Sequence, residues 1–79
     1  KSLKKAQDLI DQGERGASKI IHEMEKMILS KPKTIIDYIA ITDSKTLEPL
    51  EKLKGDLLIT LAVFIGSTRL IDNLKLKVK

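Results

Sequence analysis

Cysteine is absent from this chain of 79 residues, tryptophan is absent, and the whole aromatic inventory is Tyr38 and Phe64. Without thiols there is no disulfide framework, no thiolate zinc site and no cysteine nucleophile, a composition compatible with a reducing cytoplasm. Two aromatics, both inside apolar stretches, cannot supply the stacking platforms of single-strand nucleic-acid modules, and they read as core. Histidine occurs once. His22 sits among Lys19, Glu23, Glu25 and Lys26 with no second His or Cys at ligand spacing, so it reads as a solvated residue rather than a metal ligand, since such sites need three or four donors. The serines, at 2, 18, 30, 44 and 67, stand in no nucleophile elbow and beside no base, which excludes a triad. Gly13 and Gly16 match neither a Walker sequence nor a dinucleotide-binding turn.

Long hydrophobic runs are also missing. The longest, Leu57 to Ile65 with Thr60 inside it, is far shorter than the roughly 20 residues of a membrane helix. The start of the chain lacks the apolar run and cleavage site of a signal peptide, so export is not expected, and an opening Lys in place of Met reads as part of a longer polypeptide. Fifteen Lys and Arg against eleven Asp and Glu leave a net charge of +4. The basic residues gather at the ends, at Lys1, Lys4 and Lys5 and at Lys75, Lys77 and Lys79, where they read as solvated charges, with attraction of a polyanion as the functional alternative.

A chain of this size buries only roughly 60% of its unfolded surface, enough for one domain with one modest core and no deep active site. Leu3, Ala6, Leu9 and Ile10 follow helical spacing, and the glycines around Glu14-Arg15 break that helix. A second helix starts near Gly16 with the stripe Ala17, Ile20, Ile21, Met24, Met27 and Ile28, and Pro32 ends it. Residues 34 to 42, TIIDYIAIT, are β-branched and predict a strand buried on much of both faces, with Ile35, Asp37, Ile39 and Ile41 on one side and Ile36, Tyr38 and Ala40 on the other. Asp43-Ser44-Lys45-Thr46 is turn chemistry. Strands are predicted over 56–65 and 68–74, joined by Gly66-Ser67 as a tight antiparallel hairpin. The tail Leu74 to Lys79 alternates perfectly, its lysines suited to an edge. The fold class is α+β, two N-terminal helices on a small three-stranded, mainly antiparallel sheet in the order ααβββ, one domain over residues 1–79.

Asp37, Arg69, Asp72 and Asn73 interrupt stretches that otherwise read as buried. Buried charges need partners, so Arg69 is expected to pair with Asp37 or Asp72, and Asn73 to bond backbone near the hairpin.

Two segments together, IIDYIAITDSKTLEPL and LLITLAVFIGSTRLIDN, resemble the C-terminal domain of the pantoate–β-alanine ligases. Asp37, Tyr38, Asp43, Thr46, Leu47 and Pro49 match the pattern DYxxIxDxxTLxP. Gly66, Thr68, Arg69, Leu70, Ile71, Asp72 and Asn73 match GxTRLIDN. The resemblance implies a cytoplasmic enzyme, typically homodimeric, that condenses pantoate with β-alanine through a pantoyl adenylate, consuming ATP with Mg²⁺. It further implies that catalysis belongs to a Rossmann-like N-terminal domain whose histidine and lysine-serine nucleotide motifs are not in this sequence. No catalytic, cofactor-binding or metal residue is therefore assigned here, no ATP or Mg²⁺ is expected on this part alone, and neither nucleic acid nor membrane is an expected partner. The implied role is a lid on the N-terminal catalytic domain, with Lys4 and Lys5 as candidates for contact near phosphates. The competing class is a self-contained, non-catalytic module that binds a protein or polyanion.

Overall fold

A computed structural model describes residues 2–78; Lys1 and Lys79, counted above among the basic ends, lie outside them. Two helices, α1 (Ser2–Asp11) and α2 (Ala17–Leu29), precede three strands, β1 (Thr34–Asp43), β2 (Gly55–Ile65) and β3 (Thr68–Val78), as the sequence predicts. The strands form one antiparallel sheet in the order β1-β2-β3.

The helices separate where the glycines stand. Gly13, at φ 103°, donates its N–H to Ile10 C=O at 3.0 Å while Glu14 donates to Leu9 C=O at 2.9 Å. This is the paired-bond arrangement that closes a helix on a left-handed residue. Arg15 then spends its guanidinium on backbone, donating from Nη1 to Ile10 C=O at 2.8 Å and Glu14 C=O at 2.9 Å. The Glu14 carboxylate accepts from the N–H groups of Arg15 and Gly16. The same short link is stitched to the connection between β1 and β2, with Ala17 N–H on Glu51 C=O and Leu53 N–H on Arg15 C=O. Both partners are backbone groups that a loop would otherwise leave to water.

The core follows from alternation along β2. Leu57, Ile59, Leu61 and Val63 point to the helices and are buried with Ala6, Ile10, Ala17, Ile20 and Met24. Ile41, Leu53 and Val78 complete it. Met27, expected in the stripe of α2, sits at its rim and is exposed, because the sheet beneath the last turn of α2 ends near Ile65.

β1 departs from simple alternation. Register shifts between Ile36 and Tyr38, where Asp37 is the extra residue of a β-bulge. A bulge flips the phase of every following side chain. Ile36 pairs with Val63, Ile39 with Leu61 and Ile41 with Ile59 on the helix side, whereas Ile35 and Tyr38 pair with Phe64 and Ala62 on the other. The predicted grouping of Ile35 with Ile39 and Ile41 is thereby corrected. So is the expectation of burial on both faces, since Ile35 is 65% exposed.

β3 is longer than predicted and absorbs the alternating tail, placing Leu74, Leu76 and Val78 toward the core opposite Ile59, Leu57 and Gly55. The hairpin turns at Gly66, whose φ of 61° is open to glycine at no steric cost. At the other end of the sheet Asp43 organises the loop predicted from its composition. Its Oδ1 accepts the N–H groups of Lys45 at 2.8 Å and Thr46 at 3.0 Å, and its C=O accepts from Leu47, which adopts φ 61°. The Thr46 N–H foremost, and then that of Lys45, hold the Asp43 carboxyl below the ordinary carboxylate value of 3.8.

Two outcomes follow. Ile59→Ala, at a position with no exposed surface, is expected to cost about 2–5 kcal/mol, read as a lowered denaturant midpoint; against a total of about 5–15 kcal/mol this removes a large share of the stability. Because the folded pKa of Asp43 is depressed, its contribution is fully present above 3.8 and is lost as pH falls through the lower folded value. The thermal midpoint of Asp43→Ala should accordingly lie below that of the parent at pH 7 and converge on it in strong acid.

Candidate functional site

The two segments that carry the family resemblance meet on the sheet. Residues whose partners face away from the helices form an outer side that no described element covers: Ile35, Tyr38 and Ala40 from β1, Leu58, Thr60, Ala62 and Phe64 from β2, and Arg69, Ile71 and Asn73 from β3. A continuous row crosses all three strands, Tyr38 opposite Ala62 and Ala62 opposite Ile71. Ala62 is fully buried in the saddle between its larger neighbours, while Tyr38 is 42% and Ile71 59% exposed. Tyr38, predicted as core, is thus half on the surface, and Phe64 is only partly buried. A solvated antiparallel face normally carries polar side chains; this one does so where Thr42, Asp56, Lys75 and Lys77 stand, while the half around the row carries Ile35, Tyr38, Ala62, Phe64 and Ile71.

Asp37 and Arg69 pair as expected, but not in the interior. Arg69 donates to Asp37 Oδ2 from Nε at 3.1 Å and from Nη2 at 2.9 Å, with both side chains roughly two-fifths exposed. The pair reaches across β2 past Phe64, whose partners in register are Ile35 and Arg69. Asp72 and Asn73 are exposed as well, and the expected side-chain bond of Asn73 gives way to its own N–H donating to Asp72 Oδ1 at 2.8 Å. The expectation of buried charge fails for one reason: sequence periodicity reports which residues lie in a strand, whereas the number of layers that cover the sheet is a tertiary property.

The other candidates do not converge. His22 lies on the exposed side of α2. Lys4 pairs with Asp8 at 3.4 Å on the exposed side of α1, and Lys5 is half-buried. Among the described residues no group of three or more His, Asp and Glu is placed to hold a metal ion. A cleft of about 230 Å³ opens between the last turn of α2 and the sheet, lined by Ser2, Met27, Ile28 and Ile65 among others, smaller than the roughly 300–1,000 Å³ of ligand pockets. Arg15 is the residue that sequence reasoning passed over; its position between two glycines after a helix was the available signal, and its task is to cap α1.

The ion pair can be weighed by a double-mutant cycle on Asp37→Ala and Arg69→Ala. For a pair this exposed the coupling should be about 0.2–1 kcal/mol, so both variants fold, with denaturant midpoints near the parent's.

Comparison with known proteins closes the case for the family. Residues 1–75 match the family model of pantoate-beta-alanine ligase. The chain is 51% identical over 78 residues to a pantothenate synthetase of Moorella thermoacetica, covering 99% of this chain and 28% of that protein. It is 53% identical over 74 residues to one from Fervidobacterium nodosum, covering 94% and 26%. Among solved structures, a pantothenate synthetase of Thermus thermophilus superposes with a TM-score of 0.82 at 27% identity, over 92% of this chain and 26% of that one. The chain therefore spans less than a third of the relatives it matches. With helices, bulge, hairpin and both motif segments inside the matched span, the chain belongs to the pantoate–β-alanine ligase family.

Proposed function

We propose that this chain is the C-terminal domain of a pantothenate synthetase, serving as a lid on the N-terminal catalytic domain of the same polypeptide. The whole enzyme would condense pantoate with β-alanine through a pantoyl adenylate, giving pantothenate, AMP and pyrophosphate. The observation that carries this reading is the family match over residues 1–75 in a chain whose described residues hold no catalytic constellation.

The residues present do not fit ATP or Mg²⁺. Among the described residues no phosphate-cradling loop occurs and no acidic side chains are grouped to hold a metal ion. Nucleotide and metal would be held by the rest of the polypeptide, in a cytoplasmic enzyme acting as a homodimer. What these residues can contribute is exclusion of water. An acyl adenylate is open to hydrolysis, and a cover that closes until the amine attacks directs the acyl group to β-alanine. In chemical terms the amine nitrogen forms a bond to the pantoyl carbonyl carbon, the carbonyl–phosphate oxygen bond breaks, AMP leaves with the electron pair, and the nitrogen gives up its proton.

The test compares a full-length ligase containing residues 1–79 with the same protein lacking them, supplied with pantoate, β-alanine and Mg-ATP. A lid predicts that the shortened enzyme still releases pyrophosphate but that pantothenate formed per AMP falls about 10-fold, equivalent to about 1.4 kcal/mol of lost discrimination against water. An unchanged ratio would remove the lid assignment and return the chain to the class of protein- or polyanion-binding modules.

A further inference from the structure

The segment Thr68–Asn73 behaves unlike any other strand segment in the domain. All six residues are exposed, although they form the strand half that the turn at Gly66 sets into register with β2. Leu70 faces the helix side opposite Val63 and is still 47% exposed; Ile71 faces the outer side opposite Ala62 and is 59% exposed. Neither helix buries this half of β3, and among the described residues β3 is an edge of the sheet with no strand beyond it. The lysines that blunt the edge, Lys75 and Lys77, belong to the other half.

The domain's own stability does not account for this ridge. Its aliphatic side chains bury little, and the Arg69–Asp37 pair is too exposed to contribute much. That pair is also only half used. Both Arg69 donors converge on Oδ2, leaving Asp37 Oδ1 and Arg69 Nη1 without a hydrogen bond among the described residues, one acceptor and one donor at the rim of the Tyr38–Ala62–Ile71 row. A mixed ridge whose two aliphatic side chains, Leu70 and Ile71, open on opposite faces, beside an unused donor and an unused acceptor, has the makings of a docking surface.

Size decides between occupants. A stable self-association engages roughly 20–30 residues on each side, several times what the six ridge residues and Tyr38 provide. A partner on the same polypeptide meets the ridge at an effective concentration in the millimolar range and needs far less area. Such a partner exists on the reading given above: more than two thirds of each matched relative lies outside the matched region.

We propose that the Thr68–Asn73 ridge, together with Tyr38, is the surface by which this domain seats against the remaining body of the same ligase polypeptide. The proposal rests on the lid reading and names the face that reading leaves open. Its partner surface is apolar where it meets Leu70 and Ile71 and polar where it meets Asp37 and Arg69.

In the full-length ligase, p-benzoylphenylalanine is placed at position 71, with position 47 as the control; Leu47 is equally open, at 61%, at the opposite end of the sheet. On irradiation, position 71 should give an intramolecular cross-link to a peptide outside residues 1–79, several-fold above the yield at 47. In parallel, Ile71→Asp should lower pantothenate formed per AMP toward the value of the enzyme lacking residues 1–79, while Lys77→Asp leaves it unchanged. Cross-links confined to residues 1–79 or to a second copy, yields no higher than at 47, or an Ile71→Asp enzyme that keeps the parent ratio would each overturn the proposal. If deletion of residues 1–79 alters the ratio while position 71 fails to cross-link, the lid stands and the seat lies elsewhere. If deletion leaves the ratio unchanged, the lid itself fails.

Discussion

The alternation of β2 is the constraint on which everything else depends. As the central strand it is the one element paired on both edges, and its odd-numbered residues from Leu57 to Val63 make the floor on which both helices rest. Burying four such side chains, at roughly 1.5–3 kcal/mol each, offsets only part of the cost of ordering 79 residues at roughly 1.5 kcal/mol apiece. The helices cover this floor with Ala6, Ile10, Ala17, Ile20 and Met24, while Met27 and Leu29 at the end of α2 stay exposed. The start of β3 stays open as well, so a small core leaves apolar side chains uncovered on helix and strand alike.

That distribution explains what could be read in advance. The two helices, the three strands, the ααβββ order, the hairpin at Gly66 and the turn at Asp43 were all legible, because each is set by neighbours within a few residues: a glycine at positive φ, a carboxylate two and three residues before the N–H groups it accepts, a helical stripe. The Asp37–Arg69 contact was legible as well, as one of two pairings that charge allowed. What was not legible was exposure. TIIDYIAIT and TRLIDNL have the composition of strands shielded on both sides, and the chain provides one layer only. Family membership was legible in the two motif segments, yet the place where those motifs meet required the fold.

The bulge at Asp37 links local and global structure. Without it, Ile35, Ile39 and Ile41 would share a face, and Tyr38 would point into the helices. The extra residue moves Tyr38 to the outer side and brings Asp37 within reach of Arg69, two strands away. A strand interior is a costly place for such an irregularity, since it interrupts the ladder, and bulges commonly serve to re-aim a side chain. Here the residues re-aimed belong to the first motif, and the residue they meet belongs to the second.

The stitched junction at Arg15 sets how such a domain can act. Arg15, Ala17, Glu51 and Leu53 exchange backbone bonds that tie the helical pair to the sheet connection, and helices and sheet share one buried core. A rigid piece can open and close over a neighbour only by moving as a whole, and its hold on that neighbour must then be weak enough to release within a catalytic cycle. Two aliphatic side chains and a half-satisfied, solvent-screened ion pair fit that requirement better than a large buried interface would. An interface of the size that binds permanently would keep water out, but it would also keep the next substrate out. On the lid reading, then, the meagre coverage of β3 is what allows this domain to let go.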